Sequence, residues 1–302
     1  MHGAERLKGI DVFVATVAAG SFTAAADRLH LTSSAVGKAV ARLEARLSTR
    51  VFERTTRSLR LTDAGAAFHR ICVRVLDELE SAERVLAADA TEPSGRLRVD
   101  LPTAFGRRRV MALLTDFANR HPAVRPHVSF TDRFVDVVDE GIDVAVRVGG
   151  ADHWPANLGH RYVGKERLIF CASPDYLARN RAPLSTDDLL LHHAVAYGTS
   201  DGAVSPWLIS VGEGPAERRT MECRIVVDHG EAQVDATVAG LGVAQMATWL
   251  AEEHLLAGHL VPLLPGLDVD GLPLHVVWPL SKQLLPKVDG LVNHLAKHLQ
   301  IR

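Results

Sequence analysis

The sequence predicts a multi-domain protein in which an all-α winged helix-turn-helix head and a long linker helix precede an α/β domain. Three observations carry that expectation. Residues 21–62 read as two short helices about a tight turn followed by a basic hairpin, residues 62–88 sustain a heptad pattern, and from residue 91 onward short apolar runs alternate with amphipathic helical ones. A chain of 302 residues exceeds what one small core organises and fits two or three domains.

Leu7, Ile10, Phe13, Val14 and Val17 recur at helical spacing and predict a scaffold helix behind the head. Ser21 follows as a cap whose oxygen can accept an orphan backbone N–H, and Ala24, Ala25 and Ala26 keep the next helix slim enough for a close crossing. A second helix starts at Thr32 or Ser33. Val36, Val40, Leu43 and Leu47 form its apolar stripe, while Lys38, Arg42 and Arg46 recur on another face. Such a helix suits a DNA groove, because its cations release counterions condensed on the phosphates. From Arg28 to Arg60 eight Lys or Arg face two acids, a net of +6 in a chain of net −2, so the basic patch is local. Residues 50–62 read as a wing whose Arg54, Thr55 and Arg57 reach the backbone or a minor groove.

In the linker helix, Phe68, Cys72, Val75, Leu79, Ala82 and Leu86 step by four and three residues, a seam narrow enough to call for a partner helix. A helix of this span is about 40 Å long. The expected partner is a second copy, since a twofold dimer presents two recognition helices to a pseudo-palindromic operator. Packing of the same stripe on its own chain is the alternative.

Thr91-Glu92-Pro93-Ser94-Gly95 reads as a hinge. Beyond it, strands are expected at Leu97–Leu101, Val128–Phe130, Ile142–Val148, Leu168–Ala172, Ala194–Tyr197, Cys223–Val227, Gly242–Ala244 and Leu274–Trp278. Helices are expected around Val110–Phe117, Glu231–Ala239 and Val288–Leu299. No G-x-S-x-G elbow, phosphate-cradling G-x-x-x-x-G-K or H-E-x-x-H occurs, so no catalytic residue and no cofactor is expected. Cys72, Cys171 and Cys223 lie far apart without metal-like spacing and read as reduced thiols. His294 and His298 share a helix face, but two histidines alone do not make a metal site. No run approaches the roughly 18 apolar residues of a membrane span and the start lacks a signal-peptide layout, so a cytoplasmic location is expected.

Phe13, Gly20-Ser21-Phe22-Thr23-Ala24-Ala25-Ala26, Leu29, Ser34-Ala35-Val36, Leu43-Glu44, Phe52-Glu53-Arg54-Thr55-Thr56-Arg57 and Leu61-Thr62-Asp63-Ala64-Gly65 together resemble the amino-terminal domain of LysR-type transcriptional regulators. Gly141–Arg147, Ser173-Pro174-Asp175-Tyr176-Leu177 and Ala239–Ala244 resemble segments of the effector domains of that family, which are similar to periplasmic binding proteins. The resemblance implies a winged head over 1–61, a dimerisation helix over 62–90 and a two-lobed effector domain over 91–302. Lobe I would take about 96–166 and 267–302, and lobe II about 167–266. It further implies regulation of transcription by a small-molecule effector, a dimer or tetramer, and RNA polymerase as a further partner. Four positions depart from the family pattern. Gly37 stands where Ser or Thr is usual, Ser48 where Gly is common, and Ser33 and Ala39 replace amides. Base readout is therefore expected to rest on Ser33, Ser34, Lys38 and DNA shape, with Arg42 on the same helix and Ser21 and Thr23 anchoring phosphates.

In such a domain ligands sit beyond the carboxyl ends of the strands. Those ends carry Thr103, Ala104, Phe105, Arg133, Arg147, Gly149, Tyr197 and His229. Arg133 or Arg147 is expected to clamp a carboxylate, making the effector a small organic anion. The competing reading is a small-molecule binding protein or α/β enzyme whose amino-terminal helices only mediate association, and it leaves the +6 head unexplained.

Overall fold

The computed structural model describes residues 7–53, 59–86, 92–150, 154–199, 202–210, 214–299 and 301. It divides the chain into two compact units, Met1–Ala90 and Thr91–Arg302.

The first unit is built from α1 (Ile10–Ala19), α2 (Phe22–Leu29), α3 (Ser33–Leu47) and α4 (Asp63–Leu86). Caps set the boundaries: Ser21 Oγ accepts the Ala24 N–H at 3.1 Å and Thr32 Oγ1 the Ala35 N–H at 3.2 Å. Gly20, at φ 70°, closes α1 in the left-handed region where glycine is unstrained. Phe13 is fully buried and packs edge-on to Phe52 at 5.5 Å and tilted against Phe68 at 5.7 Å. Ala25 and Ala26 are buried, but Ala24 faces solvent, so only two of the three alanines serve the crossing.

The heptad seam divides. Phe68 packs on the head and Cys72, 1% exposed, lies within its core, whereas Val75 is half-buried and Leu79 is 41% exposed. The same periodicity thus serves an intramolecular contact in its first two turns, because α4 leaves the head along that stripe. The side chains of Ala82 and Leu86 lie outside the described residues.

The second unit holds a seven-stranded mixed sheet. Its strands are β1 (Gly95–Leu101), β2 (Val124–Phe130), β3 (Val144–Val148), β4 (Leu158–Ala172), β9 (Ala244–Ala247), β10 (Val261–Leu263) and β11 (Val269–Pro279), in the order β10-β4-β11-β3-β1-β2, with β9 also on β4. β1 runs parallel to β2 and β3, while β11 is antiparallel to β3 and β4. β5 (Ala194–Tyr197) and β8 (Cys223–Val227) form a parallel pair, and β6 (Trp207–Ile209) and β7 (Glu217–Arg219) an antiparallel one. The main core joins Leu97, Val99, Phe117, Val146, Val276, Leu291 and Leu295.

After β1 the chain makes a helical turn (Thr103–Phe105), a π segment (Gly106–Val110) and α5 (Met111–Arg120). Helices α6 (Pro174–Arg179), α7 (Thr186–Leu190), α8 (Gly230–Val238), α9 (Thr248–Leu256) and α10 (Pro286–His298) complete the unit. The strand expected at Leu168–Ala172 is the end of a 15-residue strand, and the strand expected from Ile142 begins at Val144. Asp143, just before β3, is tied to β1 from both sides: its carboxylate accepts the Arg98 N–H at 2.7 Å and pairs with Lys282 at 2.7 Å, and its own N–H donates to Arg98 O at 2.8 Å. β6, β7, β10, α7 and α9 have no counterpart in the sequence reading.

Two glycines and a serine test how the head is packed. A Cβ on Gly65 would lie 2.0 Å from the Val51 carbonyl oxygen, whereas one on Gly37 meets nothing within 4 Å. Gly65→Ala is expected to destabilise the head by about 1–3 kcal/mol and Gly37→Ala to stabilise it by about 1 kcal/mol. Ser48 sits at φ 50°, so Ser48→Gly is expected to add about 1 kcal/mol as well. Urea unfolding midpoints of the three variants check the signs.

Candidate functional site

In the head, Ser21, Thr23, Ser33, Ser34, Lys38 and Arg42 are all exposed. Ser33 and Ser34 occupy the first turn of α3, where unpaired backbone N–H groups and the positive end of the helix dipole favour an anion. Lys38 and Arg42 follow on the solvent side of that helix, while Val36, Val40 and Leu43 are buried on the other. Glu44 fixes the next segment: its Oε1 accepts the Val51 N–H at 2.8 Å and the Phe52 N–H at 3.2 Å. Arg46 is held away from a groove-facing role, donating to the Lys8 carbonyl at 3.1 Å. An antiparallel bridge of Phe52 with Leu61 and the Glu53 N–H donating to Arg60 O at 2.9 Å form the base of the expected wing. Arg54, Thr55 and Arg57 lie outside the described residues.

The second unit encloses a cavity of about 500 Å³. Of the residues expected at a ligand site, Ala104, Phe105, Arg133, Arg147 and Tyr197 line it; Thr103, Gly149 and His229 do not. Those three are engaged by the backbone or lie at a helix start: the Thr103 N–H is taken by Asp132 Oδ1 at 2.8 Å, the Gly149 N–H by Pro273 O at 2.7 Å, and His229 precedes α8 without capping it by its side chain. The opposite wall comes from Trp207, Met246, Trp249, Leu250 and Leu272, with Glu166, Gln233 and Gln245 among them. None of these carried a signal in the sequence.

Arg147 is engaged through one nitrogen only, and its buried Nη2 has no hydrogen-bond partner among the described residues. It is 4% exposed, and its Nη1 donates to Asp100 Oδ2 at 2.6 Å and to the Val146 carbonyl at 3.1 Å. Asp100, 2% exposed, also accepts the Ser129 hydroxyl at 2.5 Å. Two lining cations remain, Arg133 and Arg218, both exposed and without a carboxylate partner among the described residues. Glu166, 6% exposed, accepts from Trp249 Nε1 at 2.8 Å, and Trp249 stands edge-on to Phe105 at 5.0 Å. Burial raises the Glu166 carboxyl above its ordinary range, against the opposing hydrogen bonds from Trp249 and the Leu272 backbone. Tyr197 is likewise pushed up by burial and then by Asp132, Asp228 and Glu166.

Arg107 pairs with Glu231 at 2.8 Å, Arg108 with Glu231 at 3.4 Å and Glu253 at 3.6 Å, and Arg109 with Glu252, fastening the π segment to α8 and α9. His294 is spent on packing, with Nε2 3.1 Å from Leu113 O, and His298 Nδ1 lies 2.9 Å from the His294 carbonyl. No group of three or more metal-ligating side chains occurs among the described residues.

Comparison with known proteins adds two family matches. The model described as "Bacterial regulatory helix-turn-helix protein, lysR family" matches residues 7–66, and "LysR substrate binding domain" matches residues 90–300. An uncharacterized HTH-type transcriptional regulator of Haemophilus influenzae is 30% identical over 287 residues, covering 95% of this chain and 98% of that protein. The HTH-type transcriptional regulator CrgA of Neisseria meningitidis serogroup C is 30% identical over 295 residues, covering 96% and 97%. The solved structure of CrgA superposes with a TM-score of 0.61 at 28% identity, covering 96% of this chain and 98% of that one. Full-length AphB of Vibrio cholerae has a TM-score of 0.62 at 23% identity over 97% and 99%, a likeness of fold.

Two outcomes follow from the buried charges. Asp100→Ala strands Arg147 and is expected to cost about 3–5 kcal/mol in denaturant unfolding. Glu166, whose folded-state carboxyl titrates higher than in the unfolded chain, contributes stability at low pH that is lost as pH rises through its raised value. Glu166→Gln should therefore gain stability relative to the parent as pH climbs, which unfolding midpoints across a pH series measure.

Proposed function

The chain belongs to the LysR family of transcriptional regulators, and on that premise we propose that its exposed α3 surface reads an operator while a small molecule in the cavity controls it. The relatives are transcriptional regulators and not enzymes, which leaves the cavity a binding role. The observation that carries the proposal is the joint exposure of Ser33, Ser34, Lys38 and Arg42 along one helix whose opposite face is buried.

Ser33, Ser34 and Lys38 reach base edges or adjacent phosphates, Arg42 a phosphate, and Ser21 and Thr23 the backbone beside the α2 start. Arg54, Thr55 and Arg57 complete the set on sequence grounds. The head occupies 1–61, the linker helix 62–90 and the effector domain 91–302. Two copies pair through α4 at Val75 and Leu79 and, on sequence grounds, at Ala82 and Leu86, and RNA polymerase is engaged from the DNA-bound state. The setting is the cytoplasm, where operator DNA lies. Unpaired Arg133 and Arg218 support an effector with an anionic group. Effector binding shifts the arrangement of the two lobes, and α4 carries the shift to the paired heads.

Fluorescence anisotropy against DNA upstream of its own gene, with scrambled DNA as control, tests this across a salt series. Tight, selective and salt-sensitive binding is expected; equal weak binding to both DNAs contradicts it. Lys38→Ala should weaken binding and reduce the slope of log affinity against log salt by about 1, and an unchanged slope removes Lys38 from phosphate contact.

A further inference from the structure

Most of the described glycines of the head have a reason inside the protein. Gly9 and Gly20, at φ 82° and 70°, occupy the left-handed region at the two ends of α1, and a Cβ on Gly65 would strike the Val51 carbonyl oxygen. Gly37 has no such reason. It lies inside α3 with its φ outside the left-handed region, and a Cβ built on it meets nothing within 4 Å. Glycine is the poorest helix former after proline, because its backbone loses the most freedom on folding. Gly37 therefore weakens the helix that carries Lys38 and Arg42, and neither backbone conformation nor packing within the head gains from it. At about 100° per residue, the buried Val36, Val40 and Leu43 fix the inner side of α3. The exposed Ser34, Lys38, Ala41 and Ala45 then run along the middle of the outer side, with Ser33 and Gly37 on one flank and Arg42 on the other. Ala41 follows Gly37 by one turn, about 6 Å along the axis. Together they leave a low surface without a side-chain donor or acceptor, beside the side chains already assigned to DNA.

We propose that Gly37 is a specificity-determining residue: its missing side chain lets α3 lie close to the floor of the major groove, where the surface of Gly37 and Ala41 takes the C5-methyl group of an operator thymine. The proposal rests on α3 being the DNA-reading surface. A glycine that the fold does not need, on the face turned to a ligand, is what close approach of backbone to that ligand requires. The apolar group that a base presents in the major groove is the thymine methyl; the other base-edge groups there are hydrogen-bond donors and acceptors, which a surface without polar side chains cannot satisfy. Lys38 and Arg42 supply the charge that holds any DNA, while Gly37 sets the demand for an A·T pair at one position of each half-site.

Gly37→Ala separates folding from recognition, because it strengthens the helix and fills the space kept for the base. Full-length parent and variant would be compared by fluorescence anisotropy on the fragment upstream of the gene, on scrambled DNA, and on copies of the fragment in which thymines are replaced one at a time by uracil, which removes only the methyl group. For the parent, one thymine position is expected to cost about three- to fivefold in affinity on conversion to uracil. Gly37→Ala is expected to bind the unmodified fragment about tenfold more weakly, to bind scrambled DNA as the parent does, and to ignore that uracil, while its urea unfolding midpoint lies above the parent's. A misfolded head does not give this pattern, since it lowers the midpoint and weakens both DNAs. Gly37→Ala matching the parent on the unmodified fragment overturns the proposal, as does a parent that tolerates uracil at every thymine. Equal binding of the parent to the fragment and to scrambled DNA removes the premise that α3 reads an operator, a separate failure that takes the proposal with it.

Discussion

The ion pair between Asp100 and Arg147 is the constraint on which the regulatory unit depends. Asp100 on β1 lies opposite Ser129 on β2 and Ala145 on β3, two residues before Arg147. The chain Ser129–Asp100–Arg147 therefore ties three adjacent strands by side chains as well as by backbone. Two buried charges are costly to desolvate and endure only where geometry and added hydrogen bonds compensate. Here the geometry is supplied by parallel strands in register, and the loops leaving them, Pro102–Phe105, Thr131–Phe134 and Val148, become one side of the cavity. The pair also balances the Arg147 charge at the cavity wall through Nη1, while Nη2 keeps no hydrogen-bond partner among the described residues.

In the head an aromatic cluster plays the organising part. Phe13 from α1, Phe52 from the base of the wing and Phe68 from α4 meet in one core, and Glu44 on α3 binds the backbone at Val51 and Phe52. α3, the Phe52–Leu61 bridge and the start of α4 are thus joined through short contacts. A turn or tilt of α4 would carry α3 with it, which is what a regulator needs if a change among its linker helices is to reach the DNA. The tight approach of Gly65 to the Val51 carbonyl belongs to the same joint.

The head was legible in the sequence because its signals are local. Caps at Ser21 and Thr32, the stripe Val36–Val40–Leu43 and the cation run Lys38–Arg42 are each read from residues three or four apart, and the resemblance to the LysR family rested on the same 13–65 stretch. The cavity was legible only in part. Strand ends marked Ala104, Phe105, Arg133 and Tyr197, but the partner of Arg147 lies 47 residues away in the chain and no spacing announces it. Glu166 sits inside a long strand, where an acid ordinarily marks a solvent face, and only tertiary packing buries it against Trp249. The heptad seam misled in its first half for a related reason: a period of seven reports a continuous stripe and not which chain covers it.

Pairing of two DNA-reading heads is tested most directly by a hydroxyl-radical footprint of the full-length protein on the DNA upstream of its own gene. Two protected patches on one face of the duplex are expected, their centres about 10–10.5 base pairs or a multiple of that apart. A single patch, or protection spread evenly along the fragment, would contradict it.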